Sequence, residues 1–287
     1  MRIHLVVNTH RADAVEAARE CTEWIRARGV AMAADRESAD LLGLPPLAGD
    51  ELGIASLMIS FGGDGTLIRA AHMCAQHRTP ILGVYFGRFG FVTQCKPSEL
   101  GVSLSEFFDG KSKFENRMML RADLVRAGET VTTLHALNEI SLQRDIAARM
   151  LSFRVVVDGR ELTNYPADGV LASTPTGSTA YNLSAGGPIL DPHVEAIVVA
   201  AIAPHTLSAR PLVLSPNAKI ELTVQAMGDA VLSADGQSRL HLLSGDVLSI
   251  TRSERVTTLV SVDSHDFLVK LGERLFWSQG LGGNWEA

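Results

Sequence analysis

Apolar positions in the first part of the chain come in two alternating rhythms. Short unbroken runs at Arg2–Asn8, Val30–Ala34, Ile54–Ser60 and Ile81–Phe86 have the character of strands buried in a parallel sheet. Between them, residues 11–28 set Val15, Ala18, Thr22 and Ile25 on one helical face, with Gly29 as a C-cap. Leu67, Ala70, Ala71 and Cys74 recur at helical spacing in a helix starting at about Thr66 and ending near Arg78-Thr79-Pro80. Asp35–Gly53, rich in Pro, Gly and acids, reads as a loop with at most one helical turn. The order β-α-β-β-α-β predicts an open α/β sheet, with ligands at the carboxyl ends of its strands.

From about Lys113 the pattern changes to strand-like segments punctuated by tight turns: Arg126–Glu129, Arg144-Asp145, Asp158-Gly159, Gly228-Asp229 and Ser244–Asp246. Val155–Leu162 is a strong hairpin signal. After Val262 a helical pattern returns, with Phe267, Leu268, Leu271 and Leu275 on one face. The expected architecture is an α/β N-terminal domain with an open, mostly parallel sheet, an all-β C-terminal domain, and a C-terminal helix returning to the first domain. The corresponding boundaries are 1–112 plus 263–287, and 113–262.

Composition narrows the function. The chain has 287 residues, 46% of them hydrophobic, which suits two medium-sized cores. With 26 basic against 32 acidic residues the net charge is -6, which argues against nucleic acid as a partner. Three cysteines, Cys21, Cys74 and Cys95, show no metal-like spacing and read as reduced thiols. The N-terminus reads as a strand and not as a signal peptide, and no run of about 18 apolar residues is present. A soluble cytoplasmic protein with no membrane partner is expected.

The candidate chemistry begins at Phe61-Gly62-Gly63-Asp64-Gly65-Thr66, between a predicted strand and helix. Three glycines in four positions let a ligand approach bare backbone, and helix N-terminal amides favour phosphate. An aspartate is a poor neighbour for anions unless it handles a proton or a metal ion, which makes Asp64 a catalytic candidate. The stretch is neither a Walker loop nor a dinucleotide fingerprint, and its composition also suits an ordinary turn and N-cap. Gly87 and Gly90, with Phe86, Phe89 and Phe91, form the next loop at the same sheet edge.

In the second domain Asp168–Ile189 is the densest stretch: a strand over Val170–Ser173, a loop of small hydroxylated residues, and a helix beginning near Gly177-Ser178. Its amides and hydroxyls suit a ribose, a purine edge or a phosphate, or simply a Ser/Thr-rich cap. Asn138-Glu139 puts an amide and a carboxylate side by side in an apolar strand. Asp235-Gly236-Gln237 reads first as a hairpin turn and second as a ligand contact. Arg69 and Arg149 are candidates for phosphate, though lone arginines are mostly surface residues. His72 and His77 lack the spacing of a zinc helix, and no metal site is assigned to protein side chains.

These segments resemble one family, NAD kinase. The match rests on Gly62–Thr66, Gly87–Val92, Asn138-Glu139, Asp168–Ile189, Ala203–Pro211 and Asp235–Gln237, in that order. The resemblance implies phosphoryl transfer from ATP or polyphosphate, with a divalent metal (Mg²⁺), to the 2′-hydroxyl of the adenosine ribose of NAD, giving NADP. It implies an NAD site in the cleft between the domains, and a homo-dimer or homo-tetramer in which a neighbouring subunit helps complete the site. Carried over by position, Asp64 is the proton acceptor, Gly62, Gly63 and Gly65 hold phosphate oxygens, and Thr66 is a further cofactor-binding residue. Asn138, Glu139, Asp168 and the run Thr179, Ala180, Tyr181, Asn182, Leu183 and Ser184 hold NAD. Arg69, Arg149, Ala203 and Gln237 are further contacts. Two positions depart: Tyr85 stands where the family often has Asn, and Pro166 near where it has a basic residue.

Two other readings are weighed against this one. A lipid or other small-molecule kinase sharing only the glycine motif would need an apolar pocket, which the polar 168–189 block does not suit. A non-catalytic NAD(P) sensor would bind NADP tightly without turning over any donor.

Overall fold

The structure, a computed structural model, describes residues 1–49, 51, 53–87, 90–93, 95–145, 150–224, 230–262 and 267–275. They fall into two compact units, Met1–Asn116 with Thr257–Ala287, and Arg117–Val256.

The first unit opens with β1 (Arg2–Val7), α1 (Ala12–Arg26), β2 (Ala31–Ala34), α2 (Arg36–Leu42), β3 (Leu57–Gly62), α3 (Asp64–Cys74), β4 (Ile81–Tyr85) and α4 (Leu100–Phe108). Its strands are parallel, in the order β2-β1-β3-β4. The chain leaves β1 on one side to make β2 and returns on the other to make β3. The carboxyl ends of β1 and β3 therefore form the switch point where open α/β sheets bind ligands. Alternate residues Ile3, Leu5, Val7, Leu57, Ile59 and Phe61 face apolar residues of α1, α2 and α4 in one core. The opposite face carries α3 across Gly83, where a Cβ would run into Leu67 Cδ1. Leu67, Ala70, Ala71 and Cys74 are all buried, as their spacing requires.

Three readings of this unit need correction. Asp35–Gly53 contains a seven-residue helix, α2, entered from extended Asp35 and ended by Gly43 at φ 60°. Helix α3 starts at Asp64, two residues before the expected Thr66, and ends at Cys74. Helix α4 has no counterpart in the sequence reading.

The second unit contains most of β5 (Lys113–Arg126), then β6 (Glu129–Ala136), β7 (Glu139–Arg144), β8 (Leu151–Val157), β9 (Arg160–Ala167) and β10 (Gly169–Ser173). A 3₁₀ turn at Thr176–Thr179 and the single turn α5 (Tyr181–Ser184) follow. Then come β11 (Ile197–Ile202), β12 (Leu212–Leu214), β13 (Ile220–Val224), β14 (Ala230–Ala234), β15 (Ser238–Leu242) and most of β16 (Val247–Ser261). The helix expected near Gly177-Ser178 is thus a 3₁₀ turn and one α turn.

Strands β12-β11-β10-β7-β14-β15 make one antiparallel sheet, and β16-β13-β8-β9 pair antiparallel in another. Inward side chains from both, among them Leu142, Phe153, Val170, Val199, Leu222, Leu232 and Ile250, share one core. The β8–β9 hairpin turns through Asp158 and Gly159 at φ 49° and 76°, the two left-handed residues a two-residue hairpin needs. The last residues of β16 lie in the first unit, where Leu259 pairs in parallel with Ile81. Helix α6 (Phe267–Arg274) then buries Leu271 and Lys270, while Leu268 is exposed and does not share the expected apolar face. No described helix is long and apolar enough to cross a membrane.

Candidate functional site

At the switch point β3 runs almost directly into α3, with Gly63 the one residue between them. Gly62 has to be glycine on packing grounds, because a Cβ there would strike the Thr66 side chain. Gly63 and Gly65 are exposed, and the space a Cβ would take at each is open. The first turn of α3 thus presents bare backbone to solvent on both sides of Asp64. The Asn8 amide donates to Phe61 O at 2.8 Å and ties the two strand ends together.

The Asp64 side chain turns onto the loop after β4. Oδ2 accepts the Phe91 amide at 2.9 Å. Oδ1 accepts the amides of Val92 at 3.3 Å and Thr93 at 3.0 Å, and the Thr93 hydroxyl at 3.0 Å. Gly90 lies so close that a Cβ there would overlap Asp64 Oδ1. One carboxylate therefore anchors the Gly-Phe-Val-Thr segment, and Oδ2, with one amide, is the oxygen with acceptor capacity to spare. Phe86 and Phe91 each lie near a guanidinium, Arg11 at 6.0 Å and Arg274 at 5.6 Å. Phe89 lies outside the described residues.

In the second unit Asn138 sits in the bend just before β7 and Glu139 is its first residue; both are buried. Asp235, in the turn after β14, reaches this strand end. Its Oδ2 accepts the Leu137 amide at 2.7 Å, and its Oδ1 accepts those of Asn138 at 2.7 Å and Glu139 at 3.0 Å. From the other side the 173–177 segment closes in. The Thr174 amide and the Ser173 hydroxyl donate to Asn138 O, the Thr174 hydroxyl donates to Leu137 O, and Gly177 packs against the Asn138 backbone. Asn138 Oδ1 and Glu139 Oε2 have no hydrogen-bond partner among the described residues. Burial pushes the Glu139 carboxyl up to about 7; the Asp235 charge adds to this and the Tyr181 amide opposes it.

The remaining sequence candidates divide. Tyr181 has its amide at this strand end, bonded to the Glu139 carboxylate, while its hydroxyl donates to Gln143 Oε1 at 3.2 Å towards the other end of β7. Thr179, Ala180, Leu183 and Ser184 are at least partly accessible, whereas Asn182 is fully buried and donates to Ser178 O and Pro188 O. Asp168 joins β9 to β10 and takes Arg144 Nε at 2.6 Å. Ala203 follows β11 in the left-handed region at φ 44°, an unusual conformation for a residue with a Cβ. Gln237 is exposed at the β14–β15 turn. Arg69 is committed within its own unit, to Asp35 at 3.2 Å, Glu37 at 2.9 Å and Val7 O at 2.9 Å. Arg149 and the Gly228-Asp229 turn lie outside the described residues.

Tyr85 ends β4 opposite Gly62 and is buried. Pro166 lies in β9, its carbonyl accepting the His205 amide at 2.8 Å. Two participants escaped the sequence reading: the 91–93 amides around Asp64, and the reach of Asp235 to residues 137–139. Asp-Gly is legible as a turn, but a partner about a hundred residues away carries no local signal.

A glycine turn beside a carboxylate at a sheet switch point, on a chain with a polar strand end in a β-rich unit, suits a phosphate-bearing ligand. The ATP-NAD kinase N-terminal domain model matches residues 51–112 and the ATP-NAD kinase C-terminal domain model matches residues 137–262. The NAD kinase of Moorella thermoacetica is 38% identical over 277 residues, 96% of this chain and 89% of that one. That of Citrifermentans bemidjiense is 38% identical over 285 residues, 97% and 99% of the two chains. Yeast NADH kinase complexed with NADH superposes with a TM-score of 0.90 at 25% identity, covering 100% of this chain and 89% of that one. An NAD kinase from Archaeoglobus fulgidus in complex with ATP gives 0.75 at 25% identity, covering 98% and 100%. The chain belongs to the NAD kinase family, and its activity is phosphoryl transfer to NAD.

Proposed function

We propose that the acceptor is the 2′-hydroxyl of the adenosine ribose of NAD, that ATP is the donor, with polyphosphate the other candidate, and that Asp64 takes the proton from that hydroxyl. The observation that carries the reading is the exposed backbone of Gly63 and Gly65 on either side of Asp64, in the first turn of a helix at the sheet switch point. Amides there, with the helix dipole, suit the donor's phosphate oxygens, and Gly62 and Thr66 shape that turn. Asn138, Glu139, Asp168 and the Thr179–Ser184 run hold NAD in this reading, with Ala203, Gln237, Arg69 and Arg149 as further contacts.

Transfer of this kind passes through a loose transition state, so positioning and charge neutralisation supply most of the acceleration and the base a smaller part. No group of three metal-ligating side chains exists among the described residues. In this reading Mg²⁺ would come in on the donor's phosphates and would neutralise developing charge there. A cytoplasmic homo-dimer or homo-tetramer completes the proposal, supported by family membership and checked by light scattering.

The test is incubation with NAD, Mg²⁺ and either donor, with a coupled readout for NADP. Asp64→Asn lowers turnover by roughly 10²–10⁴-fold, the usual scale for losing a general base, and changes NAD affinity much less. Turnover within a few-fold of the parent removes Asp64 from this role. Activity unchanged by EDTA removes the metal.

A further inference from the structure

We propose that Asp235 is a positioning residue for NAD: its carboxylate holds three consecutive backbone amides and so fixes how Asn138 and Glu139 present their side chains. The inference rests on the assignment of that pair to NAD.

The backbone accounting at residues 137–139 is complete. All three amides go to Asp235. Leu137 O takes the Thr174 hydroxyl, and Asn138 O takes the Thr174 amide and the Ser173 hydroxyl. Glu139 O takes the Asp235 amide at 3.0 Å, which makes the Asp235–Glu139 link reciprocal. Two side-chain atoms in the same segment, Asn138 Oδ1 and Glu139 Oε2, are buried with no partner among the described residues. Buried polar atoms normally find partners within the protein. A backbone bonded at every group, carrying uncommitted acceptors on its side chains, is what a preorganised binding edge requires.

The residue type at 235 follows from two demands. Three amides converging on one side chain require several acceptor lone pairs, which a carboxylate has and an amide's single oxygen lacks. The position also has a φ of 51°, in the left-handed region that Asp, Asn and Gly tolerate best. Asp235→Asn and Asp235→Gly therefore keep the turn while weakening and removing the clamp.

Steady-state kinetics on the full-length enzyme test this. Asp235→Asn raises the KM for NAD by about tenfold, the scale of one weakened charge-assisted bond, and Asp235→Gly raises it further; in both the change exceeds any fall in kcat and the KM for ATP stays put. Amide hydrogen exchange at Leu137, Asn138 and Glu139 accelerates in both variants. Unchanged exchange, or equal changes in the KM for NAD and for ATP, overturns the proposal. Asn138→Ala is the parallel arm. If it weakens NAD binding and the Asp235 variants do not, the clamp alone fails. If Asn138→Ala and Glu139→Gln leave NAD binding unchanged, the assignment of this edge to NAD fails and the clamp's role falls with it.

Discussion

Gly90 lies directly against Asp64: a Cβ on residue 90 would stand 2.0 Å from Asp64 Oδ1. The same oxygen takes two amides and a hydroxyl from residues 92 and 93. Gly90→Ala must displace the carboxylate or the loop. Displacements of about 1 Å at a reacting group lower rates by on the order of 10²-fold. Steady-state kinetics should show kcat falling on that scale, and a variant with parental kcat would mean the loop yields without moving Asp64.

Gly63 offers the opposite case. Its φ of -108° is open to any residue, and nothing lies within 4 Å of where a Cβ would be. Gly63→Ala should melt within a degree or so of the parent while raising the KM for ATP by roughly tenfold, about 1.4 kcal/mol. An unchanged KM for ATP would show that the donor's phosphates do not approach this backbone.

Glu139 gives a pH dependence of stability. Its folded pKa of about 7 lies above the ordinary 4.5, so between those values the folded state binds more protons than the unfolded one. Stability from this group therefore falls as pH rises from about 4.5 to 7, by a few kcal/mol at about 1.4 kcal/mol per unit. Glu139→Gln should remove that loss. Urea unfolding should find the variant gaining on the parent between pH 5 and pH 8; a constant difference would refute the raised pKa.

His4 works in the opposite sense. The ring is fully buried in β1 with neither nitrogen partnered among the described residues. Burial pushes it down to about 4, with Arg2 adding to the effect and Glu51 opposing it. The unfolded chain, near 6.5, binds the extra proton, so stability is lost as pH falls from 6.5 towards 4. His4→Leu should melt higher than the parent at pH 5 by a larger margin than at pH 8. Equal margins would mean that His4 does not titrate in this window.

Strands, helices and the glycine turn were legible because their signals are local. A period of two or 3.6, a Gly-Gly-Asp-Gly run and an Asp-Gly turn each declare a conformation within a few residues. Where local signals conflicted the reading slipped: the acids and prolines of 35–53 masked α2, and the small polar residues of 176–184 suggested one longer helix. Of the residues named for the site, Asn138, Glu139 and the Tyr181 backbone lie together at one strand end.

What Asp64 and Asp235 hold could come only from the folded chain. Each carboxylate collects amides from a segment distant in sequence, Phe91–Thr93 and Leu137–Glu139. The glycines at 90 and 177 matter for what packs on them and not for their own conformation. The sequence determined which conformations each stretch prefers, because backbone propensity acts over a few bonds. The tertiary structure decided which groups meet, because an unpaired amide or carboxylate is satisfied by whatever folding brings within about 3 Å of it.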